Sequence, residues 1–211
     1  AEIRAAIGDD IDLAVDFHGR VSPAMAPWLC RELEPYGLMF VEEPVLPENV
    51  DAMAKVARMT TIPIATGERK FTTFEFREIL EKQAANVLQP DLCHAGGISQ
   101  VMKIAAMGET YFCSMAPHNP LGPLALAACL QVDTVIPNFT AQEHPSFEDG
   151  WDLGGPYLKK PFEIVDGYIS IPEGPGMGIE IDEAGIKENQ IDGRWETPRV
   201  MFADDHSFGE W

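Results

Sequence analysis

Acidic and histidine side chains recur along this chain at nearly constant intervals, each at the end of a short apolar run. Successive members are 26, 26, 23, 27 and 25 residues apart, and they are Asp16, Glu42, Glu68, Asp91, His118 and Glu143. That interval is about the length of one strand, one helix and two loops. Polar groups that recur once per βα unit, where each strand stops, are typical of the catalytic end of a parallel barrel. The spacing therefore predicts an enzyme.

The first three of these residues are carboxylates on successive predicted strands. Carboxylate oxygens from adjacent barrel strands can hold a hard divalent cation, and Mg²⁺ leaves coordination positions for water or substrate. Each acid alone could be a solvated loop residue, but the regular spacing predicts a metal site at Asp16, Glu42 and Glu68. Glu43 is the rival of Glu42. Strand alternation in MFVEEP and the 26-residue interval favour Glu42.

Two histidines accompany this predicted metal site. His18 lies two residues after Asp16 in a predicted strand, so both side chains point the same way, and an imidazole there can exchange a proton near neutral pH. His118 and Asp91 end neighbouring strands. A carboxylate beside an imidazole orients the ring and raises its basicity, which predicts a general base. A hydrogen-bonded structural role is the alternative for each histidine.

Glu143 ends the last predicted strand, where it either faces the same mouth or pairs with Arg20 or Arg69. Three other histidines have loop or surface roles by default: His94, His144 and His206. The HAGG loop lacks the Lys-Ser/Thr pair of a P-loop and the third glycine of a dinucleotide-binding motif. The sequence therefore predicts no nucleotide cofactor.

Composition limits the possible partners. The 211 residues contain 15 Lys and Arg against 34 Asp and Glu, a formal net charge of −19. Such a charge repels phosphate backbones, so we expect no nucleic-acid partner. It would also repel an anionic substrate, which would therefore need a bound cation in the site. The sequence contains no stretch of 18 apolar residues, so it predicts no membrane-spanning helix. Four cysteines without CxxC spacing predict reduced thiols and a cytoplasmic protein: Cys30, Cys93, Cys113 and Cys129.

Strand-like and helix-like segments alternate from residue 1 to about residue 148, which predicts a parallel sheet with right-handed crossovers. Residues 149–211 contain Gly- and Pro-rich loops and the hairpin-like segment EIVDGYISI, so we interpret them as a C-terminal extension that packs on the barrel. A closed barrel needs eight βα units, and about six are recognisable. We expect them to be strands 3 to 8, with two earlier strands absent. An open doubly wound sheet is the alternative.

Several motifs together resemble the catalytic barrel of the enolase superfamily, in its mandelate racemase branch, from about residue 1 to the C-terminus. They are DFHGR, EEP, GER, QPDLCHAGGIS, APHNPLGP and NFTAQE. The resemblance implies Mg²⁺ as the cofactor, a capping domain that is absent here, and a role for each predicted residue. Those roles are metal ligands at Asp16, Glu42 and Glu68, a general acid at His18, a general base at His118 supported by Asp91, and a hydrogen bond from Glu143 to the developing enediolate.

The resemblance also implies a reaction. We expect a dehydratase of a sugar acid, with D-galactonate as the first candidate substrate, which removes the C2 proton and eliminates the 3-hydroxyl to give a 2-keto-3-deoxy acid. The alternatives are a racemase or epimerase, a dehydratase of another aldonate, and an inactive barrel relative that binds or regulates. The expected partners are the small-molecule substrate, further copies in a homo-oligomer and the missing N-terminal portion of the same protein.

Overall fold

A parallel sheet in which a helix follows every strand occupies the first two thirds of the chain. The structure is a computed structural model, and it describes residues 1–145, 150–190 and 193. A 3₁₀ turn at Glu34–Tyr36 follows the second helix. The elements in chain order are α1 (Glu2–Ile7), β1 (Val15–Asp16), α2 (Ala26–Leu33), β2 (Val41–Glu42), α3 (Val50–Ala57), β3 (Ile64–Thr66), α4 (Thr73–Glu81), β4 (Val87–Leu88), α5 (Ile98–Glu109), β5 (Ser114–Met115), α6 (Pro123–Asp133), β6 (Ile164–Val165), β7 (Tyr168–Ile169) and α7 (Glu183–Glu188).

The first five strands follow one another across the sheet in sequence order, and every neighbouring pair is parallel. A doubly wound sheet reverses its strand order at a switch point, whereas a barrel adds each strand beside the previous one. The continuous order therefore confirms the predicted barrel-type α/β fold and speaks against the doubly wound alternative.

The predicted sixth strand lies beside β5 but is less regular than expected. Phe139 forms an isolated parallel bridge with Met115, and the Thr140 N–H donates to the Met115 carbonyl at 2.9 Å. At the other edge, β1 is paired with β2 alone among the described residues. Within the part of the chain that the structure describes, the sheet therefore has six successive positions and does not close.

Alternate residues of the strands pack into two apolar groups. Register partners such as Val41 and Ile64 are wholly buried against the helices, and burying each such side chain contributes about 1.5–3 kcal/mol. The intervening positions form a small second cluster of Phe40, Ala65, Val87 and Ala116. Asp16 and Glu42 are direct partners in the β1–β2 register. Alternation places both on the side of the second cluster, at the ends of their strands.

Side-chain caps fix where two of the helices begin. The Thr72 hydroxyl accepts the Glu75 N–H at 3.4 Å, and Glu75 Oε2 accepts the Phe71 N–H at 2.8 Å. These bonds satisfy donors that α4 leaves free at its N-terminus. The helix ends at Glu81, and Gln83, shortly after it, adopts a left-handed φ of 52°. Asn49 caps α3 in the same way.

The described part of the C-terminal region confirms the expected hairpin. Strands β6 and β7 pair antiparallel around Asp166 and Gly167, whose positive φ angles of 51° and 80° suit a tight two-residue turn. The Gln131 side chain reaches from α6 to the carbonyls of Pro172 and Met177, at 3.4 Å each. The predicted boundary between residues 148 and 149 lies outside the described residues, as does His206.

None of the described helices is long and apolar enough to cross a membrane. The four cysteines carry free thiols, three of them buried and Cys93 exposed. Burial raises the pKa of the Cys113 thiol above its ordinary value, which suppresses the reactive thiolate form.

Candidate active site

The first three strands each leave the sheet through a residue with positive φ. His18 has a φ of 48° and Glu43 a φ of 34°, a left-handed conformation that costs a non-glycine residue about 1–3 kcal/mol. Gly67 has a φ of 154°, and a Cβ there would lie 2.6 Å from the Gln89 carbonyl carbon, so β3 and β4 can end this close together only with glycine. These turns bring the side chains that follow the strands into one region.

Asp16, His18 and Glu68 each offer a ligand atom, and these atoms all lie within 4.8 Å of one another. Nδ1 of His18 is 2.8 Å from Oδ2 of Asp16, and Nε2 of His18 is 3.7 Å from Oε1 of Glu68. His18 is not in a strand as predicted. Its left-handed turn folds the ring back onto Asp16, whose Oδ1 also accepts the His18 backbone N–H at 2.7 Å.

Glu42, the remaining predicted metal ligand, is buried but does not belong to that compact group. Burial is the main cause that raises its pKa to about 8, the charges of Asp16, Glu143 and Glu68 raise it further, and a hydrogen bond from Gln89 opposes them. Burial and the three neighbouring carboxylates therefore disfavour negative charge on Glu42.

Glu43 is oriented differently from its neighbour Glu42. Its side chain is wholly buried, and Oε2 accepts one hydrogen bond from Arg69 Nε at 2.9 Å and a second from Arg69 Nη2. Burial raises the pKa of Glu43, and the hydrogen bond from Arg69 opposes that shift. Arg69, one of the two cations considered as a partner of Glu143, is thus engaged with Glu43.

His118 and Asp91 form a hydrogen-bonded pair. Nδ1 of His118 lies 2.9 Å from Oδ2 of Asp91, whose Oδ1 accepts the Cys93 N–H at 2.6 Å. Burial alone would raise the pKa of Asp91, but the bond to His118 and the nearby positive charge of His94 hold it below its ordinary value. Burial alone would lower the pKa of His118, but the bond to Asp91 and the charges of Glu143 and Glu68 raise it.

The other ring nitrogen of His118 faces two carboxylates. Nε2 lies 3.6 Å from Oε2 of Glu68 and 3.9 Å from Oε2 of Glu143. Glu143 Oε2 also accepts the Asn119 N–H at 2.8 Å, which fixes the end of the sixth strand position against the loop after β5. The structure thus brings the predicted site residues into one region. His18 and His118 lie beside Glu68, Glu143 lies beside His118, and Asp91 joins through its bond to His118. The charges of Asp16, Glu143 and Glu68 act on Glu42.

The other histidines differ in their surroundings. His94 is half exposed, 3.9 Å from Asp91 Oδ2, with its ring edge against Phe71. His144 lies outside any helix or strand, as its default loop role implied, but its side chain is only 10% exposed. Its Nε2 lies 2.7 Å from Oδ2 of the buried Asp152, close enough for an ion pair, although the angles do not suit a hydrogen bond. This contact links the sixth strand position to the C-terminal region.

Two buried amide side chains beside the site, Gln89 and Asn119, were not among the residues predicted from the sequence. Gln89 donates to Glu42, and its Oε1 has no partner among the described residues. Asn119 is wholly buried, and neither atom of its amide has a partner in the part of the chain that the structure describes. Both residues lie within motifs identified from the sequence, Gln89 in QPD and Asn119 in APHN. An amide is uncharged, so the only available indication of a role was its place in those motifs.

A family model for the enolase C-terminal domain-like proteins matches residues 1–185 of the chain. This chain belongs to that family. It is 48% identical over 217 residues to the D-galactonate dehydratase of Ralstonia pickettii, and 48% identical over 216 residues to that of Xanthomonas euvesicatoria pv. vesicatoria. Each match covers 100% of this chain and 56% of the relative. The chain therefore spans about half the length of the curated relatives it matches.

Solved structures agree with this assignment. A mandelate racemase/muconate lactonizing enzyme-like protein from Roseovarius sp. TM1035 superposes with a TM-score of 0.82 at 44% identity, over 91% of this chain and 48% of the other. A mandelate racemase/muconate lactonizing enzyme from Jannaschia sp. CCS1 gives a TM-score of 0.84 at 33% identity, over 92% and 49%. The resemblance to the mandelate racemase branch is confirmed.

Proposed function

We propose that the full-length protein is a Mg²⁺-dependent sugar-acid dehydratase, with D-galactonate as the first substrate to test. The observation that carries the proposal is the position of the two imidazoles. Nε2 of His18 and Nε2 of His118 approach opposite oxygens of Glu68, at 3.7 and 3.6 Å. Two proton carriers on either side of one carboxylate can act on two neighbouring atoms of one substrate. The names of the relatives support dehydration as the reaction class.

Asp16, Glu42 and Glu68 would hold the Mg²⁺. Their donors are carboxylate oxygens, which this hard cation prefers, whereas imidazole suits softer transition metals. We therefore assign His18 to proton transfer, although its ring lies within the compact group. The raised pKa of Glu42 reflects first its burial and then the neighbouring charges of Asp16, Glu143 and Glu68, and a bound divalent cation would favour the ionised carboxylate against both. Bound Mg²⁺ would draw electron density from the substrate carboxylate and so acidify the proton at C2.

His118 would take that proton through Nε2. Because the pKa of Asp91 is lowered, its carboxylate is ionised near neutral pH and accepts a hydrogen bond from Nδ1–H of His118. Nε2 then carries the lone pair and faces Glu68 and Glu143. The hydrogen bond from the ring to Asp91 also raises the pKa of His118, which makes Nε2 a stronger proton acceptor.

His18 would donate a proton to the departing 3-hydroxyl, which leaves as water. Its half-exposed ring, held on Asp16 at 2.8 Å, can be reprotonated from solvent after each turnover. Glu143 would supply the hydrogen bond to the substrate oxygen on which negative charge develops, the role that the family resemblance implies for it. The enol that remains tautomerises to the 2-keto-3-deoxy acid. A net charge of −19 would repel a free sugar acid, so the substrate carboxylate needs the cation that these acids hold.

The racemase alternative has one observation in its favour. His18 and His118 lie on different sides of Glu68, so His18 could also return a proton to the opposite face of C2. The products separate the two reactions, because a dehydratase forms a keto acid and a racemase forms none. The full-length protein is further proposed to be a cytoplasmic homo-oligomer. The free thiols support the compartment, and the family resemblance supports the assembly.

The decisive experiment incubates the full-length protein with a panel of aldonic acids and Mg²⁺. Keto-acid formation is measured with and without a chelator, and C2 configuration is followed in parallel. We expect D-galactonate to yield a keto acid only when Mg²⁺ is present. Inversion at C2 without keto acid would identify a racemase. No change in any substrate, with Mg²⁺ bound, would identify a binding or regulatory relative.

A further inference from the structure

The ends of the first three strands meet at one ion pair, in which the acid Glu43 is wholly buried and Arg69 is partly exposed. Glu43 follows β2, its side chain is 0% exposed, and its carboxylate accepts two hydrogen bonds from the Arg69 guanidinium. Arg69 directly follows Glu68, and Glu43 directly follows Glu42. Each partner is therefore one peptide bond from a residue proposed to bind Mg²⁺.

The same ion pair also contacts the turn after β1. The Gly19 N–H donates to the Glu43 carbonyl at 2.8 Å, and the Glu43 N–H donates to the Ala65 carbonyl at 3.0 Å. A Cβ on Gly19 would lie 2.8 Å from Arg69 Nη2 and 3.1 Å from the Leu46 Cα, so the turn packs directly onto the guanidinium. Three strand ends that must converge on one cation are thus tied together at one point.

This arrangement is more directional than apolar packing would be. The Nε and Nη2 groups of Arg69 both donate to one oxygen of Glu43, Oε2, while Oε1 has no hydrogen-bond partner among the described residues. Two N–H groups of a rigid, planar guanidinium that meet at one oxygen restrict where the carboxylate can lie. Glu43 also holds a left-handed φ of 34°, and such strain persists only where the surrounding structure enforces it. A conformation of this kind turns the Glu43 side chain toward Arg69 and leaves Glu42 free to face Asp16 and Glu68.

We propose that Glu43 and Arg69 form a positioning pair for the metal centre. They hold Asp16, Glu42 and Glu68 in the relative orientation that one divalent cation requires, and neither is itself a ligand. The inference rests on the proposed function, because it assumes that these three carboxylates bind Mg²⁺. Partners of metal ligands commonly change metal affinity or activity by about 10–100-fold when they are replaced.

The test is Mg²⁺ titration calorimetry on the full-length protein and its Glu43→Gln, Arg69→Lys and Glu34→Gln variants. Glu43→Gln keeps the shape and removes the charge, and Arg69→Lys keeps the charge and removes the planar guanidinium. We expect each to weaken Mg²⁺ binding by about 10–100-fold. Glu34→Gln is the matched control, because Glu34 accepts bonds from Thr60 and Thr61 away from the ligands and should leave Mg²⁺ affinity unchanged.

A second measurement separates positioning from general destabilisation. Saturating Mg²⁺ should restore most of the kcat of Arg69→Lys, since the ligands remain present, while its unfolding midpoint in Mg²⁺-free buffer stays near that of Glu34→Gln. If Glu43→Gln fails to fold, Arg69→Lys alone carries the test. Wild-type-like Mg²⁺ affinity in the folded variants would overturn the positioning pair.

Two further results would also be decisive. Complete loss of Mg²⁺ binding in Glu43→Gln, together with normal binding in Glu42→Gln, would make Glu43 a ligand and overturn the proposed division of roles. A wild-type protein that binds no Mg²⁺ would reject the metal site of the proposed function, and the positioning pair with it. The failure of the pair alone and the failure of the metal site are therefore distinguishable.

Discussion

Asp91 and His118 are 27 residues apart in the sequence, yet Oδ2 of Asp91 lies 2.9 Å from Nδ1 of His118. Their strands are neighbours in the parallel sheet, with Val87 opposite Ser114 and Leu88 opposite Met115. Each residue follows its strand by a similar number of positions, so the register brings the two side chains level. Contact between them is a consequence of barrel geometry, and the bond orients the ring and fixes which of its nitrogens carries the proton.

The Asp91–His118 bond predicts the behaviour of Asp91→Asn in the full-length protein. Asparagine keeps the shape, but it neither holds the Nδ1–H tautomer nor raises the pKa of the ring. We expect turnover to fall by about 10²-fold or more while Mg²⁺ affinity stays close to that of the wild type. Steady-state kinetics and calorimetry on the same preparation measure both quantities. Unchanged turnover would show that Asp91 has a structural role only.

Glu68→Gln tests the proposed metal site most directly, because Glu68 contacts both imidazoles and belongs to the compact ligand group. An amide offers one neutral oxygen in place of a carboxylate, so we expect Mg²⁺ affinity to fall by at least about 10²-fold and activity to fall with it. Calorimetry measures the affinity, and Glu109→Gln on the exposed end of α5 is the control. Equal Mg²⁺ affinity in both variants would exclude Glu68 as a ligand.

Sequence spacing predicted several of the contacts. In a barrel, residues that follow successive strands converge at one end, so a period of about 26 residues brings Asp16 and Glu68 close together. The compact group contains His18 as its third member, whereas Glu42 lies outside it. The contact between Asp91 and His118 followed from the same rule. Strand alternation also indicated that Glu42 and Glu43 differ in orientation. These inferences need only the topology, which hydrophobic patterning reveals well.

Spacing could not predict the local turns. The left-handed conformation of His18 accompanies a local bond, in which its N–H donates to the Asp16 side chain two residues earlier. The left-handed conformation of Glu43 accompanies a contact with the distant Arg69, which the local sequence does not reveal. Only two or three residues of each strand form regular pairs before the chain turns. The burial of His144 against Asp152 depends on a distant segment that the local pattern around His144 does not reveal.

Gly67→Ala tests how closely the third and fourth strands must approach. A Cβ at this position would lie 2.6–2.7 Å from the Gln89 backbone, and no flexible side chain is available to move aside. We expect the end of β3 to shift, with a loss of about 1–3 kcal/mol in the free energy of unfolding and weaker Mg²⁺ binding through displaced Glu68. Denaturant unfolding and calorimetry measure these effects. Gly8→Ala, with open space around the position, is the control for a positive-φ glycine.

Asp133 predicts a pH dependence of stability away from the active site. Burial raises its pKa to about 8, and neither carboxylate oxygen has a hydrogen-bond partner among the described residues. The unfolded value is about 3.9, so the folded state binds more protons between these values and stability falls as pH rises from about 4 through about 8. We expect Asp133→Asn to remove this decline and to be more stable than the wild type at pH 9, by on the order of a few kcal/mol. Denaturant unfolding from pH 5 to pH 9 measures it, and a parallel decline in both proteins would contradict it.

The division of labour between the two imidazoles gives the most specific prediction. His118 is held by Asp91 and directs Nε2 toward Glu68 and Glu143, as a base at C2 requires. Nδ1 of His18 contacts Asp16, and Nε2 of His18 faces the Glu68 oxygen that His118 does not face. The proposed mechanism assigns this ring to the 3-hydroxyl of the substrate. In deuterated solvent, His18→Asn should therefore still exchange the C2 proton of bound substrate but form little keto acid.

His118→Asn should instead abolish both exchange and keto-acid formation, because the C2 proton is then never removed. Nuclear magnetic resonance of the recovered substrate measures exchange, and the keto product is measured in the same samples. Mg²⁺ affinity is determined for both variants, so that a damaged metal site is not mistaken for a lost proton carrier. Loss of exchange in His18→Asn with Mg²⁺ binding intact, and retention of exchange in His118→Asn, would assign the base to His18. The direction of proton transfer proposed here would then be reversed, because the same two rings can serve either role and only exchange at C2 reports which one acts first.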